Sequence, residues 1–428
     1  MNDRRRAFLQ AAALTTAAAP FASPAPAAEG EKKPGKAPRR AAGEVLTAQS
    51  ALDARLAKLR EPTGLKVTSI ETYTRGTELG FVRVRADDGS EGWGQLSPFD
   101  ADVAALILHR KLAPHVLGAD PADFDALADR CVEANYKYPW SFVCRALAGI
   151  DTALWDLLGK RHNKSVCALL GGQPRPLPAY GSSMRRDIQP ADEAKRLAKL
   201  RDEKGFTAFK VRVGKVNGHD HDQWPGRTEA LLPAVRKAVG DKVALLADAN
   251  SCYTPARAVA VARLLEEQGY CHFEEPCPYW ELEWTAEVTA GVKVPVAGGE
   301  QDNDLAQWRR MIRMNAVDVV QPDVCYVGGL TRALRVARLA ALAGKACVPH
   351  SANLSWVTVF TLHLLAVVPN AGPYVELSIE PTRWAEGAYD PPLEVKGGKV
   401  AVPDGPGWGV KVRPAWLAGA TRQVSAAR

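Results

Sequence analysis

Val243-Ala-Leu-Leu-Ala-Asp248, Tyr270-Cys-His-Phe-Glu274 and Val294-Pro-Val-Ala-Gly-Gly-Glu300 are three short apolar runs, each closed by a carboxylate. Glu274 follows Asp248 by 26 residues and Glu300 follows Glu274 by 26 again. Asp323, after Val317-Asp-Val-Val-Gln-Pro, comes 23 further on; His350, after Ala346-Cys-Val-Pro, comes 27 beyond that, and Glu376, after Pro373-Tyr-Val, 26 beyond His350. One strand-loop-helix-loop unit of a (β/α)8 barrel takes about thirty residues, so this period puts polar residues at the C-terminal ends of consecutive parallel strands. All then face one mouth, where the active sites of such barrels lie.

The rest of the second half agrees. From Leu177 onward short apolar strands alternate with amphipathic helices, the pattern of a parallel sheet. Thr254-Pro255 and Gly329-Leu330-Thr331 mark helix starts, and Gly269 and Gly344 mark helix ends. Upstream, Val67–Tyr73 and Leu79–Arg85 read as strands with a hairpin turn at Asp87-Asp88-Gly89, followed by helical segments Ala101–Leu117, Pro121–Ala134 and Ser141–Gly159. The expected fold class is α/β: a (β/α)8 barrel of modified TIM type over 176–380, with an α+β domain over 66–175.

Length and composition set the frame. A chain of 428 residues, 46% apolar and 24% charged, suits a barrel plus a smaller domain. The net charge of +7 is concentrated in the first forty residues, and no basic stripe with interleaved aromatics follows, so nucleic acid is excluded as a partner. The start, Arg5-Arg6-Ala7-Phe8-Leu9-Gln10, an Ala-rich run to Phe21 and then Ala25-Pro26-Ala27, resembles a twin-arginine export signal over 1–28. That implies a cleaved leader and a periplasmic or exported protein. The apolar run falls well short of the ~20 residues that span a bilayer, so no membrane anchor is expected. Residues 29–65 read as a linker with one helical stretch near Ala48–Leu59. None of the eight cysteines forms a Cys-x-x-Cys pair, and most sit in apolar runs; buried thiols, not disulfides, are expected.

Carboxylates in apolar strands are costly to bury unless paired or metal-bound. Asp248, Glu274 and Glu300 on adjacent strands therefore call for a cation. Three oxygen donors without a thiolate or imidazole among them favour a hard ion, Mg2+ first and Mn2+ second. Singly each residue has a bland reading, Asp248 as a helix cap, Glu274 and Glu300 as surface charges, His350 as a core histidine. Six in register favour a site.

Over about residues 66–412 the chain resembles the enolase superfamily, mandelate racemase subgroup. The resemblance rests on the helix signature Ala148–Leu157, Lys210-Val-Arg212, Asp248-Ala-Asn250, Phe273-Glu-Glu-Pro276, Gly298-Gly-Glu300, Gln321-Pro-Asp323 with Gly328-Gly329, Pro349-His350 and Val375-Glu376. It implies Asp248, Glu274 and Glu300 as metal ligands and His350 with Asp323 as a catalytic dyad. Lys210 and Arg212 become fixed positive charges, and Glu376 a donor to the substrate carboxylate as it becomes an enediolate. It further implies a capping domain completed by the C-terminal segment 381–428, with Arg75–Gly80 and Gln95–Asp102 as closing loops, and a homo-oligomer.

Racemases of this subgroup carry a second lysine as base where this chain has Arg212, and a guanidinium, with a pKa above about 12, is a poor base. One-base dehydration of a sugar acid to a 2-keto-3-deoxy acid remains, with His350 taking the α proton and then protonating the departing β-hydroxyl. Gln321–Thr331 and Pro406-Gly-Trp-Gly409 resemble acid-sugar dehydratases of the rhamnonate or galactarate kind. The alternatives are a racemase or epimerase using Lys210 as second base, and a metal-binding homologue without turnover; a cycloisomerase lacks its usual paired lysines. His219-Asp220-His221-Asp222 reads as a solvated loop ahead of a second metal site, and Cys277, Tyr279, Trp280 and Trp284 as packing ahead of a sugar platform.

Overall fold

Strands Val67–Arg75 (β1), Leu79–Ala86 (β2) and Glu91–Gln95 (β3) form an antiparallel meander in the computed structural model, which describes residues 41–427 apart from residue 139. The leader lies outside the described residues. The meander's free edge is taken by Thr421–Ala426, antiparallel to β1. Across its face lies the helix Ser141–Arg161, admitted closely because a Cβ on Gly92 or Gly94 would collide with the backbone of that helix. Asp156 of the helix accepts from Trp93 N at 2.7 Å and from Trp408 N at 3.0 Å, tying the meander and the C-terminal segment to one buried carboxylate.

Eight parallel strands follow: Pro176–Ser182 (β4), Ala208–Arg212 (β5), Ala244–Asp248 (β6), His272–Glu274 (β7), Val296–Gly298 (β8), Val319–Val320 (β9), Ala346–Cys347 (β10) and Val375–Ser378 (β11). Neighbours pair in chain order from β4 to β10, and β11 pairs with β4. Cys347 closes the ring, its N–H donating to Asn370 O at 2.9 Å and its carbonyl accepting from Gly372 N at 2.8 Å just ahead of β11. A helix follows each of the first seven strands, but β11 is followed only by the 3-10 turn Arg383–Ala385. The expected eighth helix is thus absent and the barrel is (β/α)7β, because the chain leaves β11 for the cap, where Trp408 is buried with Nε1 on Thr152 O at 2.8 Å.

Part of the expected linker is ordered structure. Ala42–Leu59 is a helix that buries Gln49 and Leu52, and Asp53 accepts from Arg338 Nε of the helix Leu330–Leu342 at 2.9 Å. No described helix is long and apolar enough to cross a membrane. All eight cysteines are free, and all but Cys271 are buried, as the sequence suggested.

The barrel interior explains the period of the sequence. Tyr180, Ala208, Leu246, Ala297, Val319 and Val348 form a separate apolar cluster. Side chains alternate along a strand, so the residue two positions on faces the same way. Two positions on stand Ser182, Lys210, Asp248, Gln321 and His350, and Glu376 stands two beyond Tyr374, which packs against the same cluster. An apolar plug thus supports a polar layer at the mouth.

Candidate active site

Lys210, Arg212, Asp248, Glu274, Glu300, Asp323, His350 and Glu376 all lie at this mouth, and all are buried. Lys210 Nζ stands between carboxylates: 2.8 and 2.9 Å from the two oxygens of Glu274, 2.7 Å from Glu376 Oε1 and 3.6 Å from Asp248 Oδ2. Burial works against its charge, but Glu274 and Glu376 outweigh that and push its pKa up. Arg212 donates through Nη1 to Asp248 Oδ2 and, at 3.0 Å, to Asn250 Oδ1, and through Nε to Ser183 O at 3.1 Å. Gln321 Nε2 donates to Glu274 Oε2 at 2.9 Å.

Around the ring of eight strands, β9 and β10 lie across from β5, and they carry the second group. His350 Nδ1 is 2.7 Å from Asp323 Oδ2, while Asp323 Oδ1 is held by the N–H groups of Cys325 at 2.7 Å and Tyr326 at 2.9 Å. His350 Nε2 is left facing Glu300 Oε2 at 3.5 Å. Burial alone would lower the imidazole pKa, but Glu300 and the Asp323 hydrogen bond push it up to about 10. Glu376 accepts from Ser182 Oγ at 2.8 Å and Ser351 N at 2.9 Å besides Lys210. Burial would raise its pKa, yet Lys210 and His350 hold it down at about 2. In this arrangement Glu376 is an acceptor and the counter-ion of Lys210, not the donor that the resemblance implied.

Asp248, Glu274 and Glu300 thus end successive strands, but Lys210 and Arg212 stand among them, and no trio of described acids, imidazoles or thiols is arranged as a finished metal cage. The charges nevertheless fit a divalent cation. Six buried carboxyl groups, Asp248, Glu274, Glu275, Glu300, Asp323 and Glu376, face Lys210, Arg212 and His350. Burial pushes Glu275 and Glu300 up, reinforced by Glu300 and Glu274 on Glu275 and by Glu274 on Glu300, and Glu275 Oε1 is buried without a hydrogen-bond partner among the described residues. A hard cation would relieve that repulsion. It would also remove from His350 the carboxylate that contributes most to keeping it protonated.

Four further residues escaped the sequence reading. Asn250 and Glu275 lie just past strand ends at φ 41° and 42°, where strand alternation no longer predicts direction. Arg186, in the loop after β4, donates to the same Asn250 Oδ1 at 2.7 Å and to Gly214 O at 3.0 Å; burial and the neighbouring Arg212 and Arg227 lower its pKa to about 9. Gln321 was readable, two positions before Asp323 and just past the end of β9.

Among the weaker features, the His219–Asp222 loop is a capping device. Asp220 accepts from Thr254 N at 2.7 Å and Thr254 Oγ1 at 2.9 Å at the start of the helix Pro255–Glu267, and Asp222 accepts from Thr228 N at 2.5 Å in the first turn of Arg227–Val239. The aromatic group differs from expectation: Cys277 is buried, but Tyr279, Trp280 and Trp284 are all more than a third exposed. The loop Gln95–Asp102 docks on the mouth, Gln95 Nε2 donating to Ser355 Oγ at 3.0 Å and its Oε1 accepting from Trp356 N at 2.9 Å. It also touches the Arg75–Gly80 turn, through Ala101 N to Thr77 O at 2.7 Å.

A parallel barrel with acids at its strand ends, a His-Asp pair across from a lysine, and an α+β cap define the enolase superfamily. Residues 192–416 match the family described as Enolase C-terminal domain-like, and residues 40–171 match Mandelate racemase / muconate lactonizing enzyme, N-terminal domain; the chain belongs to this family and is an enzyme. It is 32% identical over 352 residues to D-galactarolactone cycloisomerase of Agrobacterium fabrum (77% of this chain, 88% of that one). It is 29% identical over 344 residues to arabinonate dehydratase of Saccharolobus solfataricus (78% and 88%). Among solved structures, a Roseobacter denitrificans protein has a TM-score of 0.83 at 52% identity, covering 85% of this chain and 100% of that one. L-Talarate dehydratase from Polaromonas sp. JS666, complexed with Mg and L-glucarate, has a TM-score of 0.74 at 28% identity, covering 85% and 100%.

Proposed function

We propose that this enzyme removes the proton α to the carboxylate of a sugar acid and expels the β-hydroxyl as water, giving a 2-keto-3-deoxy acid. The observation that carries the reading is His350, tied through Nδ1 to Asp323 and open through Nε2 towards the acids of the mouth. Asp248, Glu274 and Glu300 are the oxygen donors for Mg2+, or for Mn2+, which when bound supplies positive charge against the charge that develops on the substrate's carboxylate. Lys210 and Arg212 add fixed positive charge at the same place.

His350 Nε2 takes the α proton while Asp323 orients the ring and stabilises the imidazolium. The imidazolium then gives its proton to the β-hydroxyl as the carbon–oxygen bond breaks, and the resulting enol becomes the keto acid. Two-base racemisation is disfavoured. Arg212 does not act as a base, and Lys210 is paired at 2.7 Å with Glu376, a carboxylate outside the proposed metal donors. Relatives that act on sugar acids, such as L-talarate/galactarate dehydratase of Salmonella typhimurium, support the substrate class.

The test is a panel of sugar acids given to the Mg2+-loaded protein and assayed for 2-keto acid, with His350→Asn as control. Keto acid from the wild type and none from the variant is expected. Epimerised product without keto acid would replace dehydration by epimerisation, and no turnover of any sugar acid would overturn the reading.

A further inference from the structure

Arg145 stands where the cap meets the mouth. It lies in the first turns of the helix Ser141–Arg161, its guanidinium carbon 3.7 Å from the centre of the Tyr326 ring. Tyr326 in turn lies against His350, with ring centres 5.8 Å apart. One aromatic ring therefore separates this guanidinium from the proposed base. Arg145 Nη1 donates to Ser97 Oγ at 2.7 Å, and Ser97 N donates to Arg145 O at 3.2 Å, so the arginine is also fastened to the docked loop Gln95–Asp102.

A guanidinium carries five N–H donors in a planar fork. The structure gives Arg145 the Ser97 hydroxyl and the Tyr326 side chain, and among the described residues no carboxylate lies within ion-pair distance of it. Comparable arginines are satisfied differently. Arg335 binds Asp125 and Asp129. Arg332, in the first turn of the helix Leu330–Leu342, uses its donors on Val327 O and Asn303 O at 2.6 Å each. Arg145 and Tyr326 are only half-buried, while Ser97, Cys325 and His350 near them are buried. Contact with an aromatic face fixes the position of a guanidinium, itself planar, without using its N–H edge, which can bind a carboxylate through two parallel hydrogen bonds.

We propose that Arg145, seated on Tyr326, receives a second carboxylate at the far end of the substrate, so that the enzyme prefers dicarboxylate sugar acids to monocarboxylates. This rests on the sugar-acid reading above, with the first carboxylate at the acidic strand ends. Arg145 is a specificity-determining residue in this scheme, and Tyr326 is its platform.

The test compares matched pairs that differ only in a terminal carboxylate or hydroxymethyl group, such as galactarate with galactonate and glucarate with gluconate. Binding to the Mg2+-loaded His350→Asn protein is followed by calorimetry, which does not depend on turnover. The dicarboxylate of at least one pair is expected to bind roughly 10- to 100-fold more tightly, the range of a charge-assisted pair out of water. Arg145→Gln should abolish that ratio and Arg145→Lys should restore part of it. A merely structural role would weaken both members alike and leave the ratio standing, which overturns the proposal, as would equal binding of both members by the parent protein. His350-dependent turnover with a ratio indifferent to Arg145 would sink this inference alone. No binding of any sugar acid would sink both.

Discussion

The barrel mouth and the loop His219–Asp222 both crowd acids and imidazoles together, and the structure uses them in opposite ways. In the loop each aspartate has an outlet: Asp220, which is exposed, holds Thr254, and the half-buried Asp222 holds Thr228, both at helix starts. At the mouth the acids are buried, they outnumber the bases beside them, and Glu275 and Glu300 are pushed up by burial and by neighbouring carboxylates, Glu274 among them for both. Density of ligating residue types therefore does not make a site. Position does: a strand end above an apolar plug leaves a carboxylate neither water nor a helix terminus to answer it.

The largest effect that would break this contrast is catalytic. His350→Asn should lower kcat by about 1,000-fold or more, read in a keto-acid assay, since base and acid are lost together. A buried imidazole outside the mouth sharpens the point. His363 has only Cys167 N at 3.0 Å and Trp408 O at 3.2 Å for partners, and burial lowers its pKa from 6.5 to about 4. The unfolded chain therefore takes up this proton first on acidification. His363's contribution is complete above pH 6.5 and is lost as pH falls towards 4, up to about 3 kcal/mol. Urea unfolding across that window should show this slope, and His363→Gln should flatten it.

Metal affinity comes next. Glu300→Gln should weaken Mg2+ binding by about 100-fold in a calorimetric titration, while Asp220→Asn with Asp222→Asn should leave it within about twofold. Equal losses from both would erase the distinction drawn above. The smallest effect belongs to the loop itself. Asp222→Ala should cost about 1 kcal/mol of stability in denaturant unfolding, the usual range for a lost helix cap, without altering Mg2+ affinity.

What could be read from sequence follows the same division. Asp248, Glu274, Glu300, Asp323, His350 and Glu376 were legible because a barrel repeats its strand ends at a steady interval, and Lys210 and Arg212 because Lys210-Val-Arg212 is one of the runs that carry the family resemblance. Asn250 and Glu275 were not, because they sit past strand ends in left-handed backbone, where no period applies. Tyr326 and Arg145 come from a loop and from the cap, and only folding brings them beside His350. The missing eighth helix and the docking of the helix Ala42–Leu59 were hidden for a related reason: each depends on packing against a distant part of the chain. The role first given to Glu376 changed because Ser182 and Lys210 already engage its Oε1 and Ser351 N its Oε2.

The central claim is that His350 removes a proton α to a carboxylate at this mouth. Its most direct test is to incubate Mg2+-loaded protein with sugar acids in D2O and follow the α position by NMR and mass spectrometry, beside His350→Asn. The account predicts loss of the α hydrogen coupled to keto-acid formation in the wild type and none in the variant. Loss of the α hydrogen that persists in His350→Asn would contradict it.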